Sequence, residues 1–212
     1  MEIFVLTLPG AVERQASIER QMKALGLPFR FFYGVYGKDI SPEQKARVFD
    51  ADKSRRAIGY EMSANEIACA YGHCLIYREI AERGIPEAVV IEDDAVLHGD
   101  LPRAIEAIES KRLTAPLLVK LEKEKEFKRN RWRRMPLFDD YVAYRPIQGV
   151  YLTTIYYLTL EAARRLSRDA FPVYVPSDFF AYTCRRVELL NVNKSLALQD
   201  ALERQGIHTR VK

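Results

Sequence analysis

The chain has only three cysteines, Cys69, Cys74 and Cys184, and no two of them have CxxC spacing. An odd count without that spacing argues against a disulfide framework or a structural zinc site, and makes reduced thiols the default. No apolar stretch approaches the length of a membrane span. The opening MEIFVLTLPGAVERQ lacks the basic first region and the apolar length of a secretion signal. The expected setting is therefore cytoplasmic, with the protein soluble or held peripherally at a membrane. Neither sign of charge dominates: 33 Lys and Arg against 29 Asp and Glu leave a formal net charge of +4, which argues weakly for any partner. Internal repeats and linkers are missing too. What remains is 212 residues, 48% of them hydrophobic, enough for one domain over residues 1–212 with a proper core and too apolar for general disorder.

The pattern of apolar residues predicts an α/β fold. Residues 3–8 are a short apolar run stopped by Pro9-Gly10 and read as a buried strand. Residues 12–25 have helical spacing, with Val12, Ile18, Met22 and Leu25 on one side, and residues 29–33 make a second strand. This β-α-β opening points to a mostly parallel, Rossmann-type sheet flanked by helices. Residues 34–62 look irregular, with one helix after Ser41-Pro42. Ser63 and Glu66 form a capping box that opens a helix running to about residue 82. Further strands are expected over 88–91, 117–121, within the tyrosine-rich 141–158, at 173–175 and, last, at 187–192. Helices are expected over 101–109, 160–167 and, before a loose tail, within 199–212.

The third strand ends abruptly in Glu92-Asp93-Asp94. In open α/β sheets, ligands bind beyond the carboxyl ends of the strands. Adjacent carboxylates repel unless a cation compensates, and hard oxygen ligands suit Mg²⁺ or Mn²⁺ shared with substrate phosphates. The cluster therefore suggests metal-assisted chemistry on a phosphorylated substrate; the alternative is a polar strand end facing water. A second charge cluster, residues 120–134 (KLEKEKEFKRNRWRR), is basic. It suits phosphates of nucleic acid, anionic lipid or lipopolysaccharide, or is simply a solvated loop or exposed helix.

Four segments, in order, resemble glycosyltransferase family 25, the lipooligosaccharide galactosyltransferase family. They are Phe4–Leu8 with Glu13-Arg14, the helix segment Asn65–His73, the strand end Val89–Asp94, and Tyr157-Leu158-Thr159 with Glu161–Leu166. Pro176-Ser177-Asp178 is similar to a later Pro-x-Asp segment. Asn65 and Ala68 stand where the family usually has glycine, and Gly72 where it has serine. The resemblance implies a GT-A-like fold, a DxD-like motif, a UDP-sugar donor (usually UDP-galactose), inversion at the anomeric carbon and a bacterial surface-glycan acceptor. No nucleic-acid partner is expected.

The site residues expected from the pattern and the resemblance together are these. Asp93 and Asp94 hold Mn²⁺ or Mg²⁺, Asp94 foremost, and Glu92 or Asp93 meets the ribose or a metal-bound water. Arg14 meets the nucleotide at the first β-α turn, or sits on a solvated helix face. Glu66 and His73, seven residues apart on one helical stripe, orient the donor or the metal ligands; otherwise Glu66 is only a cap and His73 a core histidine. Asp178 accepts the acceptor proton, or caps a helix over 179–184. Trp132 stacks on a sugar, anchors at a membrane interface, or packs in the core. Rival readings are a metal-dependent nucleotidyltransferase, for which Pro9-Gly10-Ala11 is a poor first turn, and a non-catalytic lipopolysaccharide- or nucleic-acid-binding module. The expected location is the cytoplasm, with peripheral contact between the basic segment and anionic lipid at the cytoplasmic face of the inner membrane as the alternative to a freely soluble enzyme.

Overall fold

The computed structural model describes residues 1–123, 128–147 and 149–199, and the backbone but not the side chain of Arg131. The chain opens as the periodicity predicts. Strand β1 (Glu2–Thr7) leads into helix α1 (Val12–Ala24) and strand β2 (Arg30–Tyr33), which lies parallel to β1. Helix α1 buries Ile18 and Met22, but Val12 sits at its open first turn and is 69% exposed, so it is not part of the expected apolar side. Residues 34–62 are more ordered than they read. Helix α2 (Pro42–Val48) begins at a Ser41–Gln44 capping box, and a further helix, α3 (Ala51–Ile58), runs from the Asp50 cap to Gly59 in the left-handed region.

Helix α4 (Ala64–Arg83) starts at the predicted capping box: the Ser63 hydroxyl accepts from the Glu66 amide and the Glu66 carboxylate accepts from the Ser63 amide. Gly84, at φ 64°, closes it where a side chain would strain. Then come β3 (Glu87–Glu92), β4 (Ala95–Leu97), α5 (Leu101–Glu109) and β5 (Leu117–Lys120). In the described part of the basic run, Lys120 ends β5 and is buried with Leu121 and Glu122, residues 121–123 and 128 are loop, and the remainder is strand. Residues 129–138 form strand β6 (Arg129–Phe138), paired with β7 (Tyr141–Pro146), because Met135, Leu137 and Phe138 at its far end pack on the core. Residues 124–127 of that run lie outside the described residues. The chain continues through β8 (Ile155–Thr159), α6 (Leu160–Asp169), the short α7 (Phe180–Thr183), β9 (Glu188–Val192) and β10 (Ala197–Gln199).

Two expected elements change. The strand expected at 173–175 is a single bridge from Val173 to Phe49, and β9 is followed by β10, which pairs antiparallel with β4. The helix expected within 199–212 begins on a residue that belongs to β10, and the rest of it lies outside the described residues.

The 8-stranded sheet has the order β2-β1-β3-β8-β5-β9-β7-β6. Strands β7 and β8 run against the others, so the sheet is mixed. Its central strands are buried on both faces and therefore read as continuous apolar runs. Ile3, Val5, Val89, Ile91, Ile155 and Tyr157 face one way, with Ile18 and Met22 of α1 and Ile105 and Ile108 of α5. Phe4, Val90, Tyr156 and Leu158 face the other way, with Ile76 and Ile80 of α4 and Ala163 and Leu166 of α6. The reversal of β8 has a functional consequence. Its first residue, Ile155, pairs with Ile91, so the segment entering β8 lies beside the carboxyl end of β3.

Candidate active site at the carboxyl end of β3

Glu92, Asp93 and Asp94 leave β3 with three different surroundings. The Asp93 amide donates to the Leu6 carbonyl at 3.1 Å, turning its side chain towards β1. There the Thr7 hydroxyl donates to Oδ2 at 2.6 Å, and Arg14 Nη1 of α1 lies 3.2 Å from Oδ1. Burial raises the Asp93 carboxyl above the usual range, outweighing Thr7 and Arg14, which act the other way. Asp94 accepts from Gln199 Nε2 of β10 at 3.0 Å through Oδ2, while its Oδ1 is buried with no hydrogen-bond partner among the described residues. Burial and the neighbouring Glu92 raise its carboxyl too. A buried acceptor with no donor is costly unless a ligand completes it.

Glu92 faces α4. Its Oε1 accepts from the Thr153 hydroxyl at 2.5 Å and lies 3.1 Å from His73 Nε2. Burial opposes its ionisation, yet His73 and Thr153 prevail and hold it below the ordinary range. The buried His73 places Nδ1 2.8 Å from the Tyr156 hydroxyl. Burial works against its charged form, but Cys69 and Glu92 outweigh it and push His73 up to about 9. Of the two alternatives for His73, core histidine or site residue, the geometry contains elements of both: the ring is buried, and it holds a carboxylate of the acidic cluster.

Two adjoining cavities meet here. One, of about 450 Å³, is bordered by Thr7, Arg14, Tyr36, Asn65, Asp93 and Asp94. The other, of about 400 Å³, is bordered by Tyr60, Glu66, Thr153, Ser177, Asp178 and Phe179. Cys69, Glu92 and Gln199 form part of both walls. Glycine is required at 37, behind the first, where a Cβ would come within 2.6 Å of the Ala64 carbonyl carbon; one on Gly72 would press only on the Leu6 side chain, at 3.3 Å.

The expected residues thus separate. Arg14, His73, Glu92, Asp93 and Asp94 gather around the end of β3. Glu66 lies away from the two aspartates, on the second cavity, where its carboxylate is engaged by the Ser63 amide and, at 2.9 Å, by the Tyr60 hydroxyl. Its cap role is met, and it shares the wall of this second cavity with Glu92. Asp178 also lines the second cavity, and its Oδ2 accepts from the Leu152 amide at 3.3 Å. It does not cap α7, whose N-cap is Phe179 with no side-chain hydrogen bond. Trp132 is 95% exposed on β6, which removes its core alternative. Sequence reasoning missed Thr7, Thr153 and Gln199, whose roles depend on strand neighbours distant in sequence. Cys69 did carry a local signal, standing one helical turn before His73.

The pattern described as Glycosyltransferase family 25 (LPS biosynthesis protein) matches residues 1–181. The lacto-N-neotetraose biosynthesis glycosyltransferase LgtE of Neisseria meningitidis serogroup B is 29% identical over 100 residues, covering 47% of this chain and 34% of that protein. Procollagen galactosyltransferase 1-A of Xenopus laevis is 26% identical over 96 residues, covering 44% of this chain and 16% of that protein. The matches therefore span about a third or less of these relatives' length. A solved structure of mannose-1-phosphate geranyltransferase from Thermus thermophilus overlays with a TM-score of 0.46 at 16% identity, covering 100% of this chain and 80% of that one. With the family pattern running through β1, α4, the acidic end of β3 and Asp178, the chain belongs to glycosyltransferase family 25.

Proposed function

We propose that this chain is an inverting, metal-dependent glycosyltransferase that moves a sugar, galactose, from a UDP-sugar to a lipooligosaccharide or related surface-glycan acceptor. Beyond family membership, the observation that carries the reading is the buried Oδ1 of Asp94, without a hydrogen-bond partner among the described residues, on a cavity wall that also holds Arg14. That oxygen suits a hard cation such as Mn²⁺ or Mg²⁺, which commonly takes one or two carboxylates and completes its shell with substrate phosphates and water. Asp93 suits it less, because both of its oxygens are already engaged. When bound, the ion neutralises charge on the leaving diphosphate.

The chain's own residues divide the remaining work. Asp93 holds Arg14 at the cavity, where the guanidinium meets an anionic donor. Thr153 and His73 fix the Glu92 carboxylate, leaving it to orient the donor sugar or ribose. The acceptor occupies the second cavity, whose wall includes the aromatic side chains of Tyr60 and Phe179. Asp178 has one oxygen steadied by the Leu152 amide and the other free of hydrogen bonds among the described residues. It takes the proton from the acceptor hydroxyl as that oxygen attacks the anomeric carbon opposite the leaving UDP.

The basic end of the sheet supports a peripheral site at the cytoplasmic face of the inner membrane. Arg133, Arg145, Arg185 and Arg186 border a groove of about 590 Å³, and Trp132 and Ile147 are exposed nearby in sequence. Arginines with exposed apolar side chains suit an anionic lipid surface. The deciding experiment is thermal denaturation with UDP, Mn²⁺, both or neither, followed by a screen of nucleotide sugars for metal-dependent hydrolysis. The reading expects a rise in midpoint that needs both additives together. Equal stabilisation by UDP with and without the ion would overturn the metal assignment, and no donor turned over would overturn the transferase.

A further inference from the structure

We propose that Cys69, His73 and Glu92 form a second cation site, distinct from the Asp94 oxygen and suited to Zn²⁺ rather than Mg²⁺ or Mn²⁺. The inference stands on its own geometry whether or not the sugar-donor reading holds. One ligand atom from each residue lies within 4.8 Å of the others. Cys69 and His73 are one helical turn apart on α4, so both project to the same side, and Glu92 comes from the facing end of β3. The 3.1 Å between His73 Nε2 and Glu92 Oε1 is close to the ligand spacing around one tetrahedral ion, about 3.3 Å when each bond is about 2.0 Å.

The chemistry of the donor set also selects the ion. A thiolate, an imidazole and a carboxylate are a borderline set that zinc accepts, whereas Mg²⁺ asks for oxygen ligands alone. Three protein ligands leave a fourth position open, and two of them, Cys69 and Glu92, border both cavities. A supporting shell surrounds the ligands. The Tyr156 hydroxyl lies at His73 Nδ1, which directs Nε2 towards Glu92, and the Thr153 hydroxyl holds Glu92 Oε1. Ser177 Oγ is 3.4 Å from Cys69 Sγ. Such outer partners are the usual device for orienting metal-bound histidine and carboxylate. The other two thiols, Cys74 and Cys184, are buried and outside the cluster, whereas Cys69 is exposed and gives the ion an entry path.

Cobalt(II) titrated into the full chain tests the site, because thiolate-to-cobalt charge transfer and strong visible bands report a four-coordinate sulfur site. The expected result is one equivalent of Co²⁺ bound with both signals, displaced by one equivalent of Zn²⁺ and unaffected by excess Mg²⁺. Cys69→Ser, at an exposed position that need not disturb folding, should abolish the charge-transfer band. Tyr156→Phe should keep the bands and raise the Co²⁺ dissociation constant about tenfold. Cys74→Ser and Asp94→Asn should leave the signals as they are. No charge-transfer band in the unmodified protein, or a band that survives Cys69→Ser, would overturn the proposal.

Discussion

The two ends of the β3–β6 span of the sheet carry opposite charge and treat it in opposite ways. At the end of β3, three consecutive carboxylates are drawn inward, and each is given a different partner: His73 and Thr153, Thr7 and Arg14, or Gln199. On β6, Arg129, Arg133 and Arg134 are left outside with Trp132. Among the described residues Arg133 reaches only Glu188, at 3.5 Å, and Arg129 lies over the Tyr144 ring. Both clusters are runs of like charge in the sequence. The difference is burial: desolvation makes each inward carboxylate dependent on a specific neighbour, while water screens the outward cations at little cost. Charge that is expensive to keep is the stronger mark of a site.

Asp94→Asn tests the expensive end most directly and should have the largest effect. The substitution keeps shape but removes the charge that a hard cation needs. Metal-dependent turnover should fall by at least about 100-fold, a loss comparable to that of a single charge-stabilising group in other active sites. The apo unfolding midpoint should hold or rise, since a buried carboxylate with an unmet oxygen becomes neutral. Full turnover in the folded variant would reduce the acidic cluster to a polar strand end and erase the contrast with β6.

What the sequence made legible follows the same division. Elements whose signals are local were readable: the Ser63–Glu66 capping box, Gly84, the apolar run of β3 and the span of α5. Asp93-Asp94 could be located for the same reason, since a strand end and its charges are contiguous. Elements decided by tertiary pairing were not readable. The run at 129–138 has the composition of a solvated segment, and it is a strand because β7 supplies hydrogen bonds and Met135, Leu137 and Phe138 find the core. The reversal of β8, which brings Thr153 to Glu92, leaves no local trace. Neither does β10, which delivers Gln199 to Asp94.

Glu122, just past β5, gives a stability measure of buried charge. Burial, opposed by the nearby Lys120 and by the Thr154 amide, pushes its carboxyl up to about 7 from 4.5. Below the unfolded value both states hold the proton and nothing is lost. As pH rises from 4.5 to 7 the unfolded chain ionises first, so stability falls, and above 7 the loss levels off. A shift of this size corresponds to about 3 kcal/mol. Denaturant unfolding of wild type and Glu122→Gln should give matching stabilities near pH 4.5, and the variant should be the more stable by pH 8. Parallel curves would show that the interior of this sheet tolerates charge as easily as its edge.

His73→Ala should cost about 1–3 kcal/mol, because it removes hydrogen bonds to Tyr156 and Glu92 from a buried setting. If His73 only fills the core, turnover per folded molecule stays as it was. If it steadies Glu92 for the donor, turnover falls further than the loss of stability explains. Measuring both on one preparation separates packing from positioning, and an unchanged rate would return His73 to the core.

The smallest effect should come from the largest side chain at the other end. Trp132 is 95% exposed, and its backbone amide is met by Asn130 Oδ1 at 3.0 Å independently of the ring. Truncation therefore removes little buried apolar area, and Trp132→Ala should shift unfolding by less than about 0.5 kcal/mol. Turnover on a small soluble acceptor should also hold, since Trp132 borders neither cavity at β3. Sedimentation with vesicles containing anionic lipid should respond instead. The bound fraction should drop for Trp132→Ala and drop further when Arg133 and Arg145 are also neutralised, each cation near such a surface being worth about 1 kcal/mol. A marked loss of stability on removing Trp132 would mean that this ring is covered by the chain itself. The outward end of the sheet would then be as dependent on its neighbours as the inward one.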